Sequence, residues 1–365
     1  MKRVATVVGA RPQFIKAAVL QRALKHVGNV QELMIHTGQH YDTNMSHVFF
    51  EELQIDAPAH HLGIGSASHG AQTGRMLAEI EGVLVREQPD LVVVYGDTNS
   101  TVAAALAASK LQVPVAHVEA GLRSFNRRMP EEINRIVTDH VSDLLFAPTK
   151  GAVQHLADEG IRGDRVHEVG DVMFDAVLQF SGTAALRHPV SGWGLKPGSY
   201  ALCTIHRQEN TASAARLLGI LDGLRGLASE IPVVIPLHPR TKAAVEVHGL
   251  GSLVDSLHVL PPVSYFEMLS LSKSAFVILT DSGGLQKEAY FHGVPCITLR
   301  DETEWVETLE DGWNTLAGSD PERIRRAING VNRHRTTTRE GYGAGRASTT
   351  IAEVIASWQG RPRDL

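Results

Sequence analysis

The chain has 365 residues, 43% of them hydrophobic and 21% charged, with a formal net charge of −5. At about 100–200 residues per domain this length predicts two domains, and so much apolar material excludes a chain disordered throughout. The acidic excess argues against a nucleic-acid partner, and no apolar run approaches the ~18 residues of a membrane span.

The N-terminus MKRVATVVGARPQ reads as a first strand rather than a signal peptide, because Arg11 interrupts its apolar run. Short, continuous apolar runs then recur: Val4–Val8, Leu33–His36, Leu91–Tyr95, Val115–Val118 and Leu144–Ala147. Later ones are Tyr200–Ile205, Val233–Leu237, Val277–Thr280 and Cys296–Leu299. Runs without alternation suit parallel strands buried on both faces. Helix-length segments between them, such as Gln13–His26 and Ser100–Lys110, predict βαβ units. The two halves echo each other, since VVVYGDTNST is answered by FVILTDSGGL and each is followed by Val-Pro and another strand. The expected architecture is α/β: two Rossmann-like doubly wound domains facing a central cleft. The expected boundaries are 1–172 for the first Rossmann-like domain, 173–345 for the second, and 346–365 for a C-terminal helix packing back on the first domain. Cys203 and Cys296 lie inside apolar runs and read as buried core residues of a protein in a reducing cytoplasm.

In open parallel sheets, ligands bind beyond the carboxyl ends of the strands, and the polar loops of interest all fall there. Gly9 to Lys16 (GARPQFIK) follows the first strand and opens a helix, whose N-terminus favours phosphate; Arg11 and Lys16 add positive charge. Thr280 to Glu288 (TDSGGLQKE) repeats the arrangement. Ser282, Gly283 and Gly284 could hold a pyrophosphate, and Glu288 could accept hydrogen bonds from ribose hydroxyls. Asp281-Ser282 also reads as a plain N-cap. Neither G-x-G-x-x-G nor a Walker A sequence is present. A third group is acidic: Asp97, Glu119 and Glu131-Glu132. Carboxylates on neighbouring loops raise one another's pKa, which suits acid–base work near neutral pH. Each also reads singly as a cap or helix start. His206 and His238 end strands of the second half and could contact phosphate or carry a proton. Metal is not expected: His36 and His40 are separated by Thr37-Gly38-Gln39, and no HExxH or CxxC occurs.

These residues together make the chain recognisable. GARPQFIK, HTGQHYD, VYGDTNST, HVEAGLRS, MPEEINR, THRQEN, LTDSGGLQKEA and LRDETE, in this order, resemble the non-hydrolysing UDP-N-acetylglucosamine 2-epimerase family along nearly the whole length. The resemblance implies a glycosyltransferase-B-like fold, a homodimer, and inversion of a UDP-sugar at C2 without a redox cofactor. It implies that Asp97, Glu119 and Glu131 are the catalytic carboxylates and that His206 assists the departing diphosphate. It places Arg11, Lys16, Ser282, Gly283, Gly284 and Glu288 at UDP, with His238 a further candidate. Gln39, His40 and Arg207 are conceivable contacts for a second, activating UDP-sugar. Ser124-Phe125-Asn126-Arg127-Arg128 is shorter than in some members, and Trp305 stands where some have Arg. Both departures, with PQFIK, TGQHYD and TEWVET, also suit members acting on UDP-2,3-diacetamido-glucuronate. Arg127 and Arg128 could meet that sugar's carboxylate; they also read as solvated surface residues. A glycosyltransferase of the same fold, a hydrolysing epimerase and a UDP-sugar sensor are the competing classes. The first has no need of acids on both faces of C2.

Overall fold

The computed structural model describes residues 1–39, 50–332 and 341–360. The chain divides into two units, Met1–Ala176 with Glu340–Leu365, and Val177–Arg339. Each is built on one parallel sheet. His40 lies outside the described residues.

The sheet of the first unit runs β3-β2-β1-β4-β5-β6-β7. Its strands are β1 (Lys2–Val8), β2 (Val30–His36), β3 (His60–His61), β4 (Leu91–Tyr95), β5 (Val115–Val118), β6 (Leu144–Ala147) and β7 (Val166–Glu168). Every pairing is parallel. β4, β5 and β6 are buried at every position, as continuous apolar strands between two helical layers must be. The order reverses direction between β1 and β4, which makes a topological switch point there. Gln13 staples it. Its side-chain oxygen accepts from Gly9 N at 2.8 Å and Ala10 N at 3.0 Å, and its amide donates to Tyr95 O at 2.9 Å.

The second unit repeats the plan with β8 (Ala201–Thr204), β9 (Val233–Pro236), β10 (His258–Leu260), β11 (Val277–Thr280), β12 (Cys296–Thr298) and β13 (Asn314–Leu316), ordered β10-β9-β8-β11-β12-β13. The switch point lies between β8 and β11, where Thr204 Oγ1 meets Thr280 Oγ1 at 2.6 Å. Cys203 and Cys296 are free and buried in this unit's core, and burial pushes the Cys296 thiol up to about 12. The helix Ala347–Ser357 belongs to the first unit, where it packs on the helix Arg11–Val27. Its first turn is held by the Asp175 carboxylate, which accepts from Ala347 N at 3.1 Å and Ser348 N at 2.7 Å. Lys2 Nζ donates to Ile355 O at its other end.

No helix among the described residues is long and apolar enough to cross a membrane. The short strands β3, β7, β10 and β13 add edges to both sheets beyond the runs read from the sequence.

Candidate active site at the switch points

The loop after β4 begins with Gly96, whose φ of +61° favours glycine. A Cβ there would stand 3.2 Å from Glu119 Oε2 and 3.5 Å from Lys16 Nζ, so Gly96 also makes room for that pair. Asp97 follows, its side chain 31% exposed. Its main chain is fixed from two sides: His117 Nε2 lies 2.8 Å from Gly96 O, and Asn134 Nδ2 donates to Asp97 O at 2.9 Å. His117 is in turn held by Asp139 at 2.7 Å, and Asp139 also accepts from Arg123 at 2.7 Å. Burial pushes the Asp97 carboxyl up, Arg135 and Lys16 pull it down and Glu119 pushes it up again; the net is a raised pKa.

Glu119 follows β5 with φ of +73°, a left-handed conformation rare outside glycine. Such strain costs on the order of 1–3 kcal/mol and persists where the surroundings enforce it. Here both Glu119 N and Ala120 N donate to Phe146 O, at 3.1 and 3.0 Å. The Glu119 carboxylate is ion-paired with Lys16, the two side chains 11% and 8% exposed. Lys16 was expected at UDP; the structure sets it against Glu119. Arg11, from the same helix start, is half-buried. The Gly9 and Ala10 N–H groups are taken by Gln13, so that helix start offers less free donor capacity than its sequence suggests.

The helix Pro130–Val141 separates its two glutamates. The Glu131 side chain is exposed, with no hydrogen bond or ion pair among the described residues. Glu132 is 1% exposed and accepts from Ser124 N at 2.9 Å, Phe125 N at 2.9 Å and Arg135 Nη1 at 2.8 Å. Burial acts to raise its pKa, but these donors prevail and hold it low. Arg127 and Arg128 are exposed and form no ion pair among the described residues.

At the second switch point, Asp281 does not cap the following helix. Ser282 does, accepting from Leu285 N. Asp281, fully buried, instead accepts from His206 N at 3.0 Å, Arg207 N at 2.9 Å and Asn210 Nδ2 at 3.1 Å. It also meets His206 Nδ1 at 3.0 Å. Burial would raise its pKa, but His206 first and these donors next leave it lowered. With Nδ1 committed, His206 keeps Nε2 for a ligand on a ring 38% exposed. The His238 ring lies 6.0 Å from that of His206, and His238 caps the helix Pro239–Val247. Gly283 is required for packing: a Cβ would sit 2.8 Å from Glu304 Oε1 and 2.9 Å from Trp305 Nε1. Gly284 is exposed. Glu288 is 6% exposed, and burial, against the pull of Lys287, pushes its carboxyl up to about 8. Trp305 carries Lys287 Nζ 4.0 Å above its ring.

The structure thus groups Asp97, Glu119 and Lys16 in one unit and His206, His238 and the Ser282 loop in the other. Glu132 was read with the acidic group and Asp281 as a helix cap, whereas Arg135 and His117 were not singled out in the sequence. The only sequence signal for Arg135 was its i,i+3 spacing from Glu132, which reads as an ordinary helix pair. No group of three or more His, Cys, Asp or Glu able to hold a metal occurs among the described residues.

Two doubly wound sheets, with clustered carboxylates at one switch point and an anchored histidine at the other, have the architecture of nucleotide-binding enzymes. The chain belongs to the UDP-N-acetylglucosamine 2-epimerase family, whose model matches residues 22–356. It is 49% identical over 359 residues to the UDP-2,3-diacetamido-2,3-dideoxy-D-glucuronate 2-epimerase of Pseudomonas aeruginosa, covering 97% of this chain and 99% of that one. It is 43% identical to the UDP-N-acetylglucosamine 2-epimerase of Methanocaldococcus jannaschii, covering 97% and 98%. The crystal structure of the Methanocaldococcus jannaschii enzyme in complex with UDP-GlcNAc and UDP superposes with a TM-score of 0.88 at 42% identity, covering 98% of this chain and all of that one. A glycosyltransferase from Rickettsia africae, at 13% identity and a TM-score of 0.57, shares the fold alone.

Two measurements check the electrostatics. Lys16→Met removes the cation beside the nearly buried Glu119 carboxylate, a loss of about 3 kcal/mol in denaturant unfolding; Lys16→Met with Glu119→Gln is expected to recover most of it. An unchanged Lys16→Met protein would show that the pair carries no weight. Glu288 has a folded-state pKa above its unfolded one, so its favourable contribution is complete below about pH 4.5 and is lost as pH rises to about 8. Glu288→Gln is therefore expected to unfold at higher temperature than the parent at pH 8.5, with an upper limit of about 5 kcal/mol. The gap should close towards pH 4.5; a gap independent of pH would place the Glu288 titration elsewhere.

Proposed function

We propose that this protein is a cofactor-independent epimerase that inverts C2 of a UDP-N-acetylhexosamine, interconverting UDP-GlcNAc and UDP-ManNAc for cell-surface polysaccharide precursors. C2 of such a sugar has no adjacent carbonyl, so simple deprotonation is not feasible. Breaking the C1–O bond as a base removes the C2 proton gives 2-acetamidoglucal and free UDP. The UDP oxygen takes the bonding pair, and the C2–H electrons become the C1–C2 double bond. Re-addition of UDP at C1, with a proton delivered to the other face of C2, gives the epimer. This calls for acid–base groups on two faces, a firm grip on UDP and exclusion of water. No step transfers electrons to a redox cofactor.

The observation that carries this reading is the pair of unlike carboxylates at one sheet end. Asp97 is held above the usual range, and Glu119 is locked against a lysine. Two titratable groups whose surroundings differ are suited to opposite proton-transfer roles. Asp97, Glu119 and Glu131 are assigned to the acid–base work at C2. His206, braced by Asp281, is assigned to the departing diphosphate. Arg11, Lys16, His238, Ser282, Gly283, Gly284 and Glu288 are assigned to UDP, with Lys16 serving Glu119 as well. We also assign the enzyme to the cytoplasm, in keeping with its two free, buried cysteines, and to a homodimer, as the family resemblance implies.

A second reading keeps the chemistry and changes the sugar to UDP-2,3-diacetamido-2,3-dideoxy-glucuronate. The 49% identity to an enzyme of that name favours it, as does the uncommitted pair Arg127 and Arg128, available to a sugar carboxylate.

Proton NMR of each UDP-sugar incubated with the enzyme in D₂O tests both readings. Deuterium at C2 with the new epimer identifies the substrate. Asp97→Asn, Glu119→Gln, Glu131→Gln and His206→Asn are each expected to lower turnover about 10²–10⁴-fold. Free ManNAc and UDP would mean a hydrolase. Transfer to an added acceptor sugar without inversion would mean a glycosyltransferase.

A further inference from the structure

Arg135 projects from the second turn of the helix Pro130–Val141, and its guanidinium is spent on two carboxylates at once. Nε donates to Asp97 Oδ2 at 2.9 Å and Nη2 lies 2.6 Å from the same oxygen. Nη1 donates to Glu132 Oε2 at 2.8 Å. Asp97 Oδ1 has no hydrogen-bond partner among the described residues, on a side chain that is 31% exposed. We infer that Arg135 is a positioning residue for Asp97, gripping one carboxylate oxygen so that the other is presented to the substrate.

Three features support the assignment. Two donors of one planar guanidinium converge on Oδ2, a directional grip that the single ammonium of a lysine does not reproduce. The fork is itself immobilised, because Glu132 is tied to Ser124 and Phe125 by main-chain N–H groups. Neighbouring Asn134 holds the Asp97 main chain, so one helical turn fixes both the backbone and the side chain of that residue. The charged groups around Asp97 are Arg135 from this helix, Glu119 from the end of β5 and Lys16 from the first helix. Of these, Arg135 is the largest pull towards the ionised form. Removing it raises the pKa of Asp97, whichever direction Asp97 moves its proton.

This inference rests on Asp97 being a reacting carboxylate, and the experiment separates the two claims. Asp97→Asn, Arg135→Met, Arg135→Lys and Glu132→Gln are compared with the parent by circular dichroism, UDP titration and pH-dependent epimerase kinetics. Arg135→Met is expected to lower kcat about 10²-fold with little change in KM or UDP affinity. The limb of its pH profile that reports Asp97 should move to higher pH. Arg135→Lys keeps the charge, so its limb should stay with the parent while kcat recovers only in part. Glu132→Gln, which frees the fork, should lower kcat less than Arg135→Met; it carries the test should Arg135→Met fail to fold. Full activity of Asp97→Asn overturns the reading of Asp97 itself. An inactive Asp97→Asn beside Arg135→Met with parental kcat and pH profile overturns the role of Arg135. A rise in KM alone in Arg135→Met overturns it too, because Arg135 would then bind substrate directly.

Discussion

Anionic side chains brought to the end of a parallel sheet lose much of their hydration, and they remain folded there only if protein groups replace it. The first unit meets this demand with two cations placed differently. Lys16 meets Glu119 with both side chains nearly buried, so that carboxylate is neutralised where it stands. Arg135 is shared between Asp97 and Glu132, and burial, only partly offset by Arg135 and Lys16, leaves Asp97 above the ordinary carboxylate range. The polypeptide around them is shaped accordingly. Gly96 has no side chain because Glu119 and Lys16 occupy the space beside it, Glu119 adopts a left-handed backbone, and His117 and Asn134 pin the main chain on either side of Asp97.

The second unit applies the same physics to a histidine. Buried Asp281 takes two main-chain N–H groups from the His206 loop as well as the imidazole Nδ1. The loop conformation and the ring orientation are therefore set by one carboxylate at the switch point. A histidine braced in this way can stabilise or protonate a leaving phosphate oxygen through Nε2 without first reorganising. Glu288, by contrast, is nearly buried with only Lys287 to offset the loss of water, and its raised pKa couples that position to pH near neutrality.

Much of the fold was legible in the sequence because central parallel strands are written as continuous apolar runs. LVVVY and LLFA read as strands and are β4 and β6. The edge strands were not legible: His60–His61 and His258–Leu260 are short and partly exposed, so no burial pattern marks them. In the site, the strand-end positions of Asp97, Glu119 and His206 could be read from the chain, since each follows an apolar run. Their partners could not. Arg135 is 38 residues from Asp97, and the one sequence-local contact it makes, to Glu132, looks like an ordinary surface pair. Asp281 before Ser282 resembles a helix cap, and only the sheet order brings it beneath His206. Lys16 looked like a solvated phosphate contact because nothing local shows that its helix points it at Glu119, 103 residues on.

The central claim is that C2 inverts through departure of UDP from C1. UDP-GlcNAc, and in parallel the diacetamido-glucuronate sugar, can be prepared with ¹⁸O in the bridge between C1 and the β-phosphorus and followed by ³¹P NMR during epimerisation. The account predicts that the label leaves the bridge and spreads into the non-bridging oxygens of the β-phosphate, at a rate comparable to inversion. Inversion at C2 with the label wholly retained in the bridge, and with neither 2-acetamidoglucal nor UDP released during turnover, would contradict it.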